Sequence, residues 1–125
     1  MASTTVNKPL TASYIASTGA QVSLANGVST KAESLAVEAG IYLVIMSAQF
    51  DKNATGIRSI GNNSAVPSGQ RNGVVTVNNV GSGQYATVKC SFIANTPGTT
   101  FDCYCYQNSG SALDVWTKIE AIRLN

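Results

Sequence analysis

Apolar and polar residues alternate along short segments of this chain, and clusters of Gly, Pro, Asn and Ser separate the segments. Alternation with a period of two is typical of strands, and turn clusters about every ten residues are typical of sandwiches and barrels. The pattern predicts strands at 20–25, 31–37, 41–50, 56–61, 73–79, 85–94, 99–107 and 114–124. We therefore expect an all-β domain with an antiparallel β-sandwich or barrel.

Two regions are less clear. Residues 29–39 contain the helix formers Ala, Glu and Leu, but they also alternate, and a strand fits them as well. Residues 1–19 are polar and unpatterned, so we expect an N-terminal arm or linker there, with a possible edge strand around 13–15. The remainder, 20–125, is the predicted domain.

Strand parity predicts which side chains face the core. In 41–50 and 85–94 the even positions form one apolar face, and in 99–107 the inward residues are Phe101, Cys103 and Cys105. The opposite face of 41–50 is also apolar, which is typical of a strand covered on both sides.

Tyr104 and Tyr106 point away from the predicted core. They could be ordinary surface aromatics of a sheet, but we favour a subunit interface, where Tyr is enriched, formed by Tyr104, Tyr106, Leu43 and Ile45.

Composition argues for one folded domain with neutral surfaces. Of 125 residues, 44% are hydrophobic and 11% are charged, the opposite of a disordered chain. The net charge of +2 comes from scattered Lys and Arg, so we expect no nucleic-acid binding. The longest apolar run, Ile41 to Met46, is too short to cross a bilayer. Because the N-terminus lacks the features of a signal peptide, we expect synthesis in the cytoplasm and no membrane insertion.

The chain has three cysteines, Cys90, Cys103 and Cys105. An odd number of cysteines argues against a closed disulfide framework. The favoured interpretation is three reduced thiols in the core. A bridge from Cys90 to Cys103 or to Cys105, between neighbouring strands, is the alternative.

The sequence offers no catalytic apparatus. Without His, a Ser-His-Asp or Cys-His arrangement is impossible. Nothing in the sequence pairs two carboxylates as a glycosidase site would need. We expect neither an enzyme nor a cofactor.

Asp51, Asn53 and Thr55 could offer oxygens to calcium, but one carboxylate is few for such a site. Ordinary turn chemistry is the favoured interpretation, so we expect no metal.

The long polar loops at 61–72, 81–84 and 95–99 suit hydrogen bonding to glycans, or solubility alone. Arg58, Gln70, Arg71 and Trp116 are the candidate ligand contacts. Trp116 could equally cap the core beside the turn at 106–113, and we rank that interpretation first.

Four segments together resemble a known family. They are EAGIYLV at 38–44, FDKNATGIRSI at 50–60, YQNSGSAL at 106–113 and IEAIRL at 119–124. In this order and spacing they resemble the C1q and tumour-necrosis-factor-like jelly rolls of bacteriophage fibre and tail proteins, over 20–125. The resemblance implies a homotrimeric jelly roll in which the strand carrying Tyr104 and Tyr106 lies near the three-fold axis. Two features depart from the family: no collagen-like stalk precedes the domain, and Cys103 and Cys105 replace the usual aliphatic residues.

The function that the resemblance implies is a virion protein of a bacteriophage or prophage. It would be the trimeric knob of a fibre or tail, binding a host-surface receptor, in our expectation a glycan. Its partners would be its own copies, other virion proteins and that glycan. The alternatives are a capsid decoration or fibre-trimerising protein without receptor binding, and a bacterial surface or spore-coat protein of the same fold.

Overall fold

The protein is seen here as a computed structural model that describes residues 14–64, 66, 75–77 and 84–125, with only the backbone described at 75–77. These residues form seven strands: β1 (Tyr14–Thr18), β2 (Val22–Leu24), β3 (Thr30–Phe50), β4 (Arg58–Gly61), β5 (Val75–Val77), β6 (Ala86–Gln107) and β7 (Leu113–Arg123). All pairings are antiparallel, in the order β1-β7-β3-β6-β4-β5, with β2 also on β7. The all-β, antiparallel prediction is confirmed, and the ambiguous segment 29–39 belongs to a strand. The possible N-terminal edge strand is present as β1.

The centre of the sheet is a ribbon of two long strands. β3 has 21 residues and β6 has 22, and they pair along most of their length. The predicted strands 31–37 and 41–50 are one strand, and so are 85–94 and 99–107; the expected interruptions at 38–40 and 95–98 are wrong, because Glu38 pairs with Gly98 and Gly40 with Thr96. Gly and Pro signal a break in regular pairing. Here the break is a local distortion of the ribbon, with Gly98 at a φ of 119°, and the chain does not reverse.

The buried face of the ribbon changes parity at this distortion. In β3, Leu35 and Val37 are buried before it, whereas the even positions from Tyr42 to Phe50 are buried after it. β6 changes in the same way, so that Phe101 meets both Tyr42 and Phe92 edge to face, with centroids 6.3 and 5.9 Å apart. Both halves of the ribbon thus contribute to one core. This arrangement is consistent with a β-sandwich.

The predicted core faces are confirmed in the main. The even residues of 42–50 are buried, as are Ala86, Val88 and Cys90, while Phe92 and Ala94 are half-buried against the cluster. All three thiols are free and buried, as the favoured interpretation expected. Burial raises the pKa of Cys90 to about 12. Its hydrogen bond with Cys105, together with burial, raises the pKa of Cys103. Cys90 and Cys103 are therefore packing residues with little thiolate character.

Candidate assembly and ligand-binding surfaces

One face of the sheet is turned away from the core and carries exposed apolar side chains. We call it the outer face: the non-core side of β1, β7, the second half of β3 and the first half of β6. Register aligns Tyr14 with Ile122, Ile122 with Leu43, and Leu43 with Ile93. These four residues form an apolar row across four strands. Tyr14 is 51% exposed and Ile93 is 59% exposed, so the row has no cover within the described chain.

The neighbouring row continues the apolar surface in part. Ile45 lies between Glu120 and Ser91, and Glu120 accepts a hydrogen bond of 2.7 Å from the Tyr14 hydroxyl. That hydrogen bond raises the pKa of Tyr14. Lys118 lies 3.7 Å from the same carboxylate. Contiguous exposed apolar surface with a polar rim is typical of an interaction site.

The predicted interface residues divide between two surfaces. Leu43 and Ile45 lie half-buried on the outer face, whereas Tyr104 and Tyr106 lie half-buried on the other half of β6, opposite Gly61 and Ser59 of β4. A single flat contact with another subunit would not bury both the Leu43–Ile45 pair and the Tyr104–Tyr106 pair. A closed three-fold ring uses two different patches of each subunit, so two surfaces are compatible with the trimer prediction.

Arg58 is not a ligand contact in this structure, which corrects the prediction. Its side chain is completely buried. One guanidinium nitrogen, Nη1, donates to the carbonyl oxygens of Thr55 and Ile57 at 2.8 and 3.1 Å, and Nη2 donates to that of Asn53 at 2.7 Å. Burial lowers its pKa. Arg58 therefore holds the 53–57 loop from inside through the two terminal nitrogens of its guanidinium fork, whereas its buried Nε has no hydrogen-bond partner among the described residues.

The same loop shows why calcium chemistry is not needed to explain its oxygens. Asn53 Oδ1 accepts from the Thr55 N–H at 2.8 Å, and Asp51 Oδ1 accepts from the Lys52 N–H at 2.7 Å. These are local turn hydrogen bonds. Among the described residues, no group of three His, Cys, Asp or Glu side chains is placed to hold a metal.

Gln107 organises the turn that precedes the last strand. It is fully buried; its Nε2 donates to the carbonyls of Leu24 and Ser111 at 3.0 and 2.8 Å, and its Oε1 accepts from the backbone and side chain of Ser109. Asn108 adds a hydrogen bond from the Ile57 N–H at 2.7 Å. Three loops are thus tied together, so the polar residues at this end serve structure.

Trp116 lies on the outer face, between buried Val115 and Thr117, and does not join the core cluster. The interpretation that it caps the core is therefore wrong. Its ring meets Tyr85 edge to face, with centroids 6.4 Å apart and planes at 70°, and Lys52 Nζ lies 5.0 Å from the Tyr85 ring centre. Tyr85 was not among the predicted ligand residues. It precedes β6 by one residue and lies far from Trp116 along the chain, and only the pairing of the strands brings the two rings together.

A shallow depression adjoins Trp116 on the outer face, and we call it the polar depression. Trp116 lines it together with polar side chains from four strands, and most of its exposed surface is apolar; the polar side chains are those of Thr18, Ser47, Gln49, Thr87, Lys89 and Lys118. Within the described residues, it brings the predicted ligand residue Trp116 together with polar side chains that have no hydrogen-bond partner. The other two candidates, Gln70 and Arg71, lie outside the described residues.

Comparison with known proteins adds a likeness of shape. No family model matches the chain, and no curated protein matches it. A chain of a solved structure described as "Bacillus endospore appendages form a novel family of disulfide-linked pili" is similar over 96% of this chain and 100% of that one, with a TM-score of 0.45 and 12% identity. At that score and identity the likeness does not extend to function. In the described part of the chain, no helix is long and apolar enough to cross a membrane.

Proposed function

We propose that this chain is a structural protein of a bacteriophage or prophage particle, a homotrimeric jelly-roll knob of a fibre or tail that attaches to a host-surface glycan. The observation that carries the proposal is the apolar row, with Ile93 at 59% exposure and Tyr14 at 51%. The four segments that resemble phage knobs give the row its context. The proposal assigns no catalytic activity to the chain, which contains no His.

The energetics favour association through the row. Fully burying one exposed large apolar side chain contributes roughly 1.5–3 kcal/mol, and covering one that is already half-buried contributes less. The row offers Leu43, Ile93 and Ile122, with Ile45 beside it, on each copy. Several such side chains per contact offset the translational and side-chain entropy that association costs. A second copy is the occupant that would bring an equally apolar surface.

A three-fold ring is favoured over a dimer by the second surface. Tyr104 and Tyr106 form a separate half-buried aromatic patch, and Tyr is enriched at interfaces. A dimer about a two-fold axis would use one patch twice, whereas a ring uses two patches. The resemblance also implies three subunits.

Light scattering on the purified protein tests the assembly. We expect a mass three times the 13.0 kDa of the chain. Ile93→Thr combined with Leu43→Thr should give folded monomer or aggregate, and so should Tyr104→Ser combined with Tyr106→Ser. Val28→Thr is the matched control, because Val28 is 49% exposed and lies in the loop between β2 and β3, outside the row. A wild-type monomer, or unchanged trimers from both double variants, would refute the assembly.

Receptor binding needs its own test. The purified domain should compete with particles for adsorption to host cells. The burial of Arg58 removes one predicted ligand contact and so favours a second candidate, a capsid decoration or fibre-trimerising protein without a receptor. Trimers that bind neither host cells nor their polysaccharides would establish that second candidate over the first.

A further inference from the structure

We propose that the polar depression binds a carboxylate-bearing sugar unit of a polysaccharide, with Trp116 as the aromatic wall and Lys89 as the partner of the carboxylate. The inference rests on the proposed glycan attachment and names its site and its sugar class. Ligand sites combine an aromatic surface with a few convergent polar groups, and this depression contains both.

The aromatic wall is held in place by its neighbours. Trp116 is half-buried and meets Tyr85 at 70°, so the two rings are not stacked on each other. Lys52 lies over the Tyr85 ring and fixes the second aromatic in turn. The face of an aromatic ring is negative. It therefore attracts the weakly positive C–H groups on one side of a pyranose ring.

The floor of the depression supplies free hydrogen-bonding groups. The side chains of Ser47, Gln49 and Thr87 line it, and none of them is hydrogen-bonded to another side chain or carbonyl in the described part of the chain. Hydroxyl and amide groups both donate and accept, and so do sugar hydroxyls. Gln49 lies directly between Trp116 and Thr87 in the register, which places the polar groups beside the aromatic wall.

The charge of the depression favours an acidic sugar over a neutral one. Lys118 and Lys89 lie on either side of Ser47 in one register row, about 10 Å apart at two strand spacings, which leaves room for one sugar ring. Lys118 is paired with Glu120, whereas Lys89 has no ion-pair partner among the described residues. Among the described residues that line the depression, none is acidic. A carboxylate on the bound sugar would supply a charge-assisted hydrogen bond to Lys89.

The site lies beyond the register row of Ile45, which stands between it and the apolar row. Along β7, Lys118 lies four residues and Trp116 six residues from Ile122, which is about 13 and 20 Å in a strand. Assembly through the row and sugar binding in the depression can therefore be changed by different substitutions.

Tryptophan fluorescence is a direct assay, because the chain has one Trp. The probes are an oligouronate hexamer and a neutral glucose hexamer, each titrated into the wild-type protein. We expect the oligouronate to shift the emission saturably and to bind at least tenfold more tightly than the neutral hexamer, with an affinity that falls as salt is added. Absence of any saturable shift up to millimolar oligouronate, or equal affinity for the two hexamers, would overturn the proposal.

Three variants locate the site. Lys89→Gln should weaken oligouronate binding at least fivefold, and its effect should disappear with the neutral hexamer. Lys31→Gln is the matched control, an exposed lysine of β3 outside the depression, and should leave binding unchanged. Trp116→Ala should abolish binding measured by calorimetry. Equal losses in Lys89→Gln and Lys31→Gln, or full binding in Trp116→Ala, would refute the assignment.

Failure of this inference and failure of the proposed function give different results. Particle adsorption that the purified domain inhibits, with Lys89→Gln and Trp116→Ala as effective as wild type, would refute the site alone. A monomer whose fluorescence responds to the oligouronate as expected would refute the trimeric knob and leave the sugar site standing.

Discussion

Replacement of Arg58 by Met tests whether this residue holds a loop or contacts a ligand. Met keeps much of the length and volume of the side chain but removes the guanidinium. The structure shows a fully buried Arg58 with three hydrogen bonds to the carbonyls of Asn53, Thr55 and Ile57. If these contacts are structural, the substitution should lower the free energy of unfolding and leave ligand binding by the folded protein intact.

The expected magnitude follows from opposing effects. A hydrogen bond to a charged group contributes roughly 1.5–3 kcal/mol, so three of them amount to about 4–9 kcal/mol. Removing the buried charge recovers several kcal/mol of desolvation cost, since the described residues place no carboxylate beside it. We expect a net loss of about 3 kcal/mol in the free energy of unfolding.

Urea unfolding followed by circular dichroism measures this loss, with the slope of the transition as a check on two-state behaviour. Arg123→Met is the matched control. Arg123 is half-buried near the end of β7 and donates one hydrogen bond, to the carbonyl of Ala39 at 3.0 Å, so its loss should be under about 1 kcal/mol. Equal stability of Arg58→Met and wild type, together with lost adsorption, would refute our reasoning and restore Arg58 as a ligand contact.

Three further predictions test the fold. Phe101→Ala should lower the free energy of unfolding by about 3–5 kcal/mol in urea titrations, because this ring joins both halves of the ribbon; a loss under 1 kcal/mol would contradict the single core. Gly56→Ala should lower the melting temperature more than Gly27→Ala. Both glycines have a positive φ, but only at Gly56 would an added Cβ lie 2.5 Å from the Asn108 carbonyl oxygen. Equal melting temperatures of the two variants would contradict this close approach. The pKa of Cys90 is raised to about 12, so the protonated thiol favours the folded state. Its contribution to the free energy of unfolding is present below pH 9 and is lost as the pH rises to 12, by up to roughly 1.4 kcal/mol per pH unit. Cys90→Ala should flatten this dependence of stability on pH in urea titrations, and an unchanged dependence would contradict the prediction.

Local alternation predicted much of the fold. A strand places successive side chains on opposite faces, so Tyr42, Val44 and Met46 were assignable to the core from their spacing alone. The apolar second face of the same strand was equally visible, and Leu43 and Ile45 do lie on the outer face. Their neighbours in the apolar row were not predictable, because cross-strand register depends on pairing between distant segments.

The errors came from signals with two structural meanings. The segments that contain Gly40 and Pro97 fall between predicted strands, but in the folded chain they lie at a distortion where the long ribbon changes its buried face. Arg58 follows a Gly-containing loop, and a charged residue there is usually exposed. Only the folded chain shows that the carbonyls of that loop point at one position and need a donor.

The amino-acid sequence by itself determined that this chain forms antiparallel strands with a core of aliphatic, aromatic and thiol side chains, and that it lacks the residues for histidine-based catalysis. The tertiary structure decided which segments pair, where Arg58 is buried, and that Trp116, Tyr85 and Lys89 share one surface. The physical reason is range: side-chain alternation is a property of neighbouring residues, whereas strand register and surface composition depend on contacts between residues far apart in the chain.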